Sequence, residues 1–276
     1  MLRYLGGNNF KKAINVGNKY LKKNKKPIIN FAIEETTQSK YIYKEYINLI
    51  KALPNNNFSI ALKLSSINFD LKIARDIADL CLEKETKLFI DAEDNNNNNK
   101  YQEMVNQLTF DYNTNNNFIY KTYQMYRLDS LETFNKDLQL FKKYNKYFSC
   151  KLVRGAYWNS EYKGGNLFTK KIDTNNSYNQ AMLNIYNSEY TDKTKIVLAT
   201  HNKFSSELGV LLNKNINIFE FAHLQGMRES YYDKLNQIND NDNDSIHVYI
   251  PYGPYNKMIP YLIRRFYENI DMIKHL

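Results

Sequence analysis

Short apolar runs alternate with longer amphipathic stretches along the whole chain. The runs fall at 27–32, 58–64, 87–92, 118–125, 148–154, 195–200, 216–224 and 246–251. Each is rich in Ile, Val, Leu, Phe and Tyr and has the length of a strand. Between them, residues 71–85, 130–144, 177–188 and 203–212 carry apolar side chains at helical spacing, with Ser130 and Ser177 placed to cap two of the helices. Eight strands, each followed by a helix, predict one (β/α)8 barrel of parallel strands and outer helices over residues 1–276, close to the usual size of roughly 250 residues. A doubly wound sheet is the competing arrangement. Against it, no G-x-G-x-x-G follows the first run and no midpoint reverses the strand order. Asparagine-rich tracts at 55–57, 95–99, 115–117 and 239–244 lack any hydrophobic period and read as loops.

Polar residues collect at the ends of the predicted strands. They are Glu34, Lys63, Asp91 with Glu93, Gln124, Lys151 with Arg154, Thr200-His201-Asn202, Gln225 and Tyr249. In a barrel those ends form one rim, where catalytic groups gather. Lys151 alternates with Cys150 and Leu152, so its side chain points opposite to theirs, into the barrel mouth. Near the C-terminus, Tyr261, Arg264, Arg265 and Glu268 share one helical face, while Ile259, Leu262, Ile263 and Phe266 form a separate apolar stripe. Two adjacent guanidinium forks suit a carboxylate or a phosphate.

Composition narrows the field. The net charge of +9 suggests an anionic partner, but the lysines are spread through the helical stretches and are densest at 22–26. With the 24 tyrosines at ordinary helical or strand spacing and no recognisable module, no nucleic-acid binding is expected. Cys81 and Cys150 lie far apart in apolar contexts and read as reduced core thiols. His201, His223 and His247 lack ligand spacing, so no metal site is expected, and no Gly-x-Ser-x-Gly elbow points to a covalent hydrolase. No run approaches the roughly 20 apolar residues that span a bilayer. Met1-Leu-Arg-Tyr-Leu-Gly-Gly has no secretory or transit character, so no targeting peptide is expected within these residues.

Several motifs in order carry a family resemblance. Ile90-Asp-Ala-Glu93, Lys151-Leu-Val-Arg-Gly-Ala-Tyr157-Trp158, Ala199-Thr-His-Asn202, Gly226-Met227, Val248-Tyr-Ile-Pro-Tyr-Gly253 and Tyr261-Leu-Ile-Arg-Arg-Phe-Tyr-Glu-Asn269 together resemble proline dehydrogenase. Members of that family are FAD-dependent enzymes that oxidise L-proline to Δ1-pyrroline-5-carboxylate on a (β/α)8 barrel, which accounts for the missing dinucleotide fingerprint. The resemblance implies that Lys63, Arg264 and Arg265 hold the proline carboxylate, that Glu34 organises the arginines, and that Tyr249 and Tyr261 wall the ring. Tyr261 is similar to the residue of proline-specific members. Asp91 and Lys151 match the positions treated as catalytic. Ala92, Glu93, Gln124, Arg154, Gly155, Ala156, Tyr157, Trp158, Thr200 and His201 match flavin-binding positions, with Glu93 resembling a carboxylate that bonds the ribityl chain. Hydride then leaves proline C5 for flavin N5, and electrons pass to a membrane quinone.

That resemblance implies peripheral membrane association, on the matrix side of the mitochondrial inner membrane in a eukaryote, or a cytoplasmic, membrane-peripheral place otherwise. A separate protein is expected to oxidise the product. The chain departs from the family in three places. Lys151 stands where many bacterial relatives have arginine, Ala222-His223 replaces a glutamine-leucine pair, and the asparagine tracts are expected in loops away from the rim. Two other readings compete: a barrel lyase or aldolase using Lys63 or Lys151 as a Schiff base, and a catalytically silent scaffold.

Overall fold

The structure, a computed structural model, describes residues 2–33, 39–238, 246–258 and 262–263. Within them eight parallel strands close into a barrel in sequence order: β1 (Lys26–Phe31), β2 (Ser59–Lys63), β3 (Lys87–Asp91), β4 (Ile119–Gln124), β5 (Phe148–Val153), β6 (Thr194–Ala199), β7 (Phe219–Leu224) and β8 (Ile246–Tyr252). Pairing of β8 with β1 shuts the sheet and excludes the doubly wound alternative, which needs open edges. The helix α1 (Phe10–Leu21) precedes the barrel. Six more, α2 (Ser39–Ala52), α3 (Leu71–Glu83), α4 (Asn98–Tyr112), α5 (Ser130–Lys143), the short α6 (Trp158–Glu161) and α7 (Lys171–Tyr186), follow β1 to β5. The last two of the described set, α8 (Lys203–Ile216) and α9 (Glu229–Ile238), follow β6 and β7.

Alternation along each strand builds two concentric cores. Inward-facing Ile28, Ala61, Phe89, Tyr120, Val197 and Ala222 fill the barrel, with Phe89 stacked on Tyr120 at 4.5 Å. Their neighbours Ile90, Cys150, Leu152 and Leu198 face outward into the layer beneath the helices. The barrel floor is charged: Glu220 on β7 accepts from His247 on β8 at 3.0 Å and lies 3.7 Å from Lys87 on β3. Burial opposes ionisation of Glu220, but Lys87, His247 and Lys26 outweigh it and hold its carboxyl well below the usual range.

Side-chain caps fix where several helices begin. Asn9, Asp70 and Asn202 each accept from the backbone N–H three residues on, starting α1, α3 and α8. The two serines expected as caps are not caps. Ser130 is already the first residue of α5, behind Asp129. Ser177 lies buried in the middle of α7, which starts at Lys171. Ile216 ends α8 rather than opening a strand, because Asn217 turns left-handed (φ 42°) and stops the helix before β7.

The asparagine tracts divide. Those at 55–57 and 115–117 lie in loops that enter strands, at the floor end. The tract at 95–99 departs from expectation, because it follows β3 on the mouth side, where Asn95 accepts from the Arg127 guanidinium beyond β4 at 3.1 Å. It is not loop: Asn95–Asn97 form a 3-10 turn capped by Asp94, and Asn98 opens α4. The tract at 239–244 lies outside the described residues.

Candidate active site

Parallel strands place their C-terminal ends on one rim, and the inward alternation aims Lys63, Asp91, Gln124, Lys151 and Tyr249 into one cleft of about 340 Å³. Lys63 and Asp91 are register partners on adjacent strands, as are Thr122 and Lys151. Lys151 pairs through Nζ with Asp91 Oδ1, and the Tyr249 hydroxyl donates to the other oxygen, Oδ2. One carboxylate from β3 thereby ties a cation from β5 to a phenol from β8. The ammonium also stands 5.4 Å from the centre of the Tyr249 ring. The inward direction of Lys151 read from its alternation with Cys150 and Leu152 is what the strand shows.

Beside this group, Lys63 Nζ lies 3.8 Å from Glu93 and 5.3 Å from the centre of the Tyr157 ring. Glu93 is buried, and its carboxylate accepts from the Ser65 backbone N–H (2.8 Å) and hydroxyl (2.9 Å). Burial raises its carboxyl to about 7, against the lowering effect of Lys63 and Ser65. The Glu93 side chain therefore supports Lys63 from behind the cleft wall.

Loop ends beyond the strands form the opposite wall. Gln124 is spent on bridging them: its Nε2 donates to the Glu93 carbonyl (2.9 Å), and its Oε1 accepts from the Ala156 N–H (3.1 Å). Tyr157 donates to the Ala92 carbonyl at 3.4 Å. Gly155 adopts φ +143°, and a Cβ there would sit 2.5 Å from the Tyr126 ring, so only glycine fits. Arg154 also lines the cleft, donating to Asn175 Oδ1 (2.8 Å), Ser205 Oγ (2.9 Å) and Thr200 Oγ1. The Nδ1 atom of His201 is buried with no hydrogen-bond partner, and desolvation, then His223, Arg228 and Arg154, lower the ring's pKa to about 3. A neutral imidazole with an unmatched nitrogen thus faces the cleft wall at neutral pH. Ala222 and His223 also line it, and His223 stacks on Tyr232 at 4.6 Å.

Trp158 stands apart from the cleft lining; it is 42% exposed and stacks on Tyr162 at 5.1 Å. Gln225, expected on the rim, holds the N-terminal segment by donating to the carbonyls of Arg3 and Leu5. Glu34, Tyr261, Arg264 and Arg265 lie outside the described residues. Sequence reading passed over Asn30, a buried polar residue lining the cleft, although a lone asparagine inside the run Ile28-Ile29-Asn30-Phe31 was a visible signal. Ser65, Asn175 and Ser205 gave no such signal, since their roles arise only from tertiary contact.

A closed eight-stranded α/β barrel with charged side chains converging on a ligand-sized mouth defines the class of molecule. Sequence comparison is narrower: the family described as Proline dehydrogenase matches residues 17–275. The chain belongs to the proline dehydrogenase family. It is 30% identical over 218 residues to mitochondrial proline dehydrogenase 1 of Dictyostelium discoideum, covering 71% of this chain and 37% of that protein. It is 32% identical over 209 residues to mitochondrial proline dehydrogenase 2 of Arabidopsis thaliana, covering 70% of this chain and 43% of the relative. The chain thus spans about two fifths of the length of these relatives. Among solved structures, proline utilization A (PutA) from Bdellovibrio bacteriovorus, inactivated by N-propargylglycine, superposes with a TM-score of 0.84 at 19% identity. That match covers 97% of this chain and 32% of the other, and bears on the fold alone.

Proposed function

We propose that the chain is a flavoenzyme barrel that oxidises L-proline to Δ1-pyrroline-5-carboxylate, with FAD as cofactor and a membrane quinone as electron acceptor. The carrying observation is the Lys151–Asp91–Tyr249 group beside Lys63 in the mouth of a barrel that belongs to this family. The cleft fits such a cofactor: the unmatched His201 nitrogen and the remaining donors of the cleft-lining Arg154 can bond it. Arg154, Thr200 and His201 would hold FAD on one wall, with Ala92, Gln124, Gly155, Ala156 and Tyr157 around it, while Glu93 acts from behind the wall and Trp158 stands outside the lining. When bound, FAD supplies a two-electron acceptor for the hydride at proline C5.

The protein's part is alignment and charge. Lys63, with Arg264 and Arg265 outside the described residues, neutralises and orients the substrate carboxylate. Tyr249 walls the ring, and its hydroxyl is kept in place by Asp91. The same carboxylate fixes the Lys151 ammonium, which presents positive charge where negative charge develops during oxidation. Nitrogen releases its proton as the imine forms.

Peripheral membrane association accompanies the quinone. The net charge of +9 favours an anionic membrane surface, and no helix among the described residues is long and apolar enough to cross a bilayer. The names of the relatives above support a mitochondrial place if the source is eukaryotic. Incubation of flavin-loaded protein with L-proline and a soluble quinone analogue is expected to yield pyrroline product that o-aminobenzaldehyde traps. Full flavin content without product contradicts the reading.

A further inference from the structure

Arg154 is held in an unusual way for a partly buried cation. A guanidinium has five N–H donors in a rigid fork. Three of the Arg154 donors are engaged, and every acceptor is uncharged: Asn175 Oδ1, Thr200 Oγ1 and Ser205 Oγ. Ser205 passes its own proton on to Asn179 Oδ1 at 2.6 Å. Asn175 and Asn179 stand one turn apart on α7, so a single helix face takes two of the donors, one directly and one through Ser205. The Tyr178 ring lies 4.5 Å from the guanidinium carbon and is itself tied to the Leu152 carbonyl, so the plane is fixed from below. Among the described residues no carboxylate reaches Arg154. Buried charges ordinarily have an opposite charge beside them. This one instead lines the cleft with two donors left over.

We propose that Asn175, Asn179 and Ser205 are positioning residues whose uncharged oxygens orient Arg154 without neutralising it, which keeps its full charge for the diphosphate bridge of a bound dinucleotide. An aspartate at position 175 would keep this geometry but satisfy the cation before the ligand arrived. The inference rests on the flavin reading above, and it predicts a selective dependence on phosphate that a purely structural network does not have.

The test is a change of charge at constant shape, Asn175→Asp, made in the full chain and stripped of flavin. Affinity for FAD is expected to fall at least tenfold, while affinity for riboflavin, which has no phosphate, stays within twofold. The unfolding temperature of the stripped protein is expected to rise, since the new carboxylate neutralises a desolvated cation. Asn179→Asp, acting through Ser205, is expected to move the same ratio in the same direction and serves if the first variant does not fold. Unchanged FAD affinity, or parallel loss of FAD and riboflavin, overturns the inference. If the unaltered protein binds no FAD, the cofactor reading fails by itself. Binding of inorganic diphosphate then decides the inference: tenfold weaker in Asn175→Asp supports it, and equal binding overturns it.

Discussion

Lys151 on β5 and Asp91 on β3 meet across the barrel mouth, although β4 lies between their strands. Both sit at inward positions near the strand ends, and the curvature of the barrel brings them together over Thr122. The pair is mostly shielded from water, with side chains 8% and 19% exposed. An Asp91→Asn variant leaves the Lys151 ammonium without its counter-charge. Stability is expected to fall by about 2 kcal/mol, and proline turnover by more than tenfold, measured by thermal unfolding and steady-state rates.

The second contact of that carboxylate separates ring from hydroxyl. Tyr249→Phe keeps the ring and deletes the donor to Asp91 Oδ2. A loss of about 1 kcal/mol in stability is expected, with a fall in kcat/KM of roughly tenfold. If kcat/KM is unchanged, the hydroxyl does not order the site.

Glu93 gives a pH dependence of definite sign. Its folded pKa of about 7 lies above the reference value of 4.5, so the folded protein binds its proton more tightly than the unfolded chain. Its stabilising contribution is complete below pH 4.5 and is lost as pH rises toward 7, at no more than about 1.4 kcal/mol per pH unit. Glu93→Gln is expected to be flatter over that window in denaturant unfolding at several pH values.

His223 acts in the opposite direction. Burial, the leading cause, lowers its pKa to about 4 from 6.5, so the unfolded chain takes up the proton first. Stability from this group is present above pH 6.5 and is lost as pH falls through about 4. His223→Gln is expected to lessen acid destabilisation in that range.

Gly155→Ala tests the approach of the loop to Tyr126. Positive φ and a Cβ contact of 2.5 Å both oppose any side chain there. A loss of about 2 kcal/mol and weaker flavin retention are expected, read by thermal unfolding and by absorbance after gel filtration.

The barrel was legible because short, largely apolar runs recur eight times with polar residues at or just beyond their C-terminal ends. Lys151 could be assigned an inward direction from its alternation with Cys150 and Leu152 alone. Other features resisted. Ile216 looked like strand because it is β-branched and apolar, yet Asn217 behind it is a helix stop. The start of α7 was invisible because Lys171-Ile-Asp-Thr-Asn-Asn has little apolar periodicity, while its buried face includes Thr174 and Ser177. Asn175 and Ser205 are ordinary polar residues until α7 and α8 bring them to Arg154. Motif likeness to a family pointed to Asp91, Lys151, Arg154, Thr200, His201 and Tyr249, which line the cleft, but only contact distances could show that the Glu93 side chain supports Lys63 and that Gln124 is occupied with the loops.

Alignment of L-proline with a bound flavin in this mouth has a direct optical readout. Flavin-loaded protein is mixed with L-proline without oxygen while absorbance near 450 nm is followed. Bleaching that saturates with proline concentration is the expected result, with the apparent KM raised sharply in Lys63→Met and flavin content retained. A fully loaded protein that keeps its colour at saturating L-proline contradicts the account.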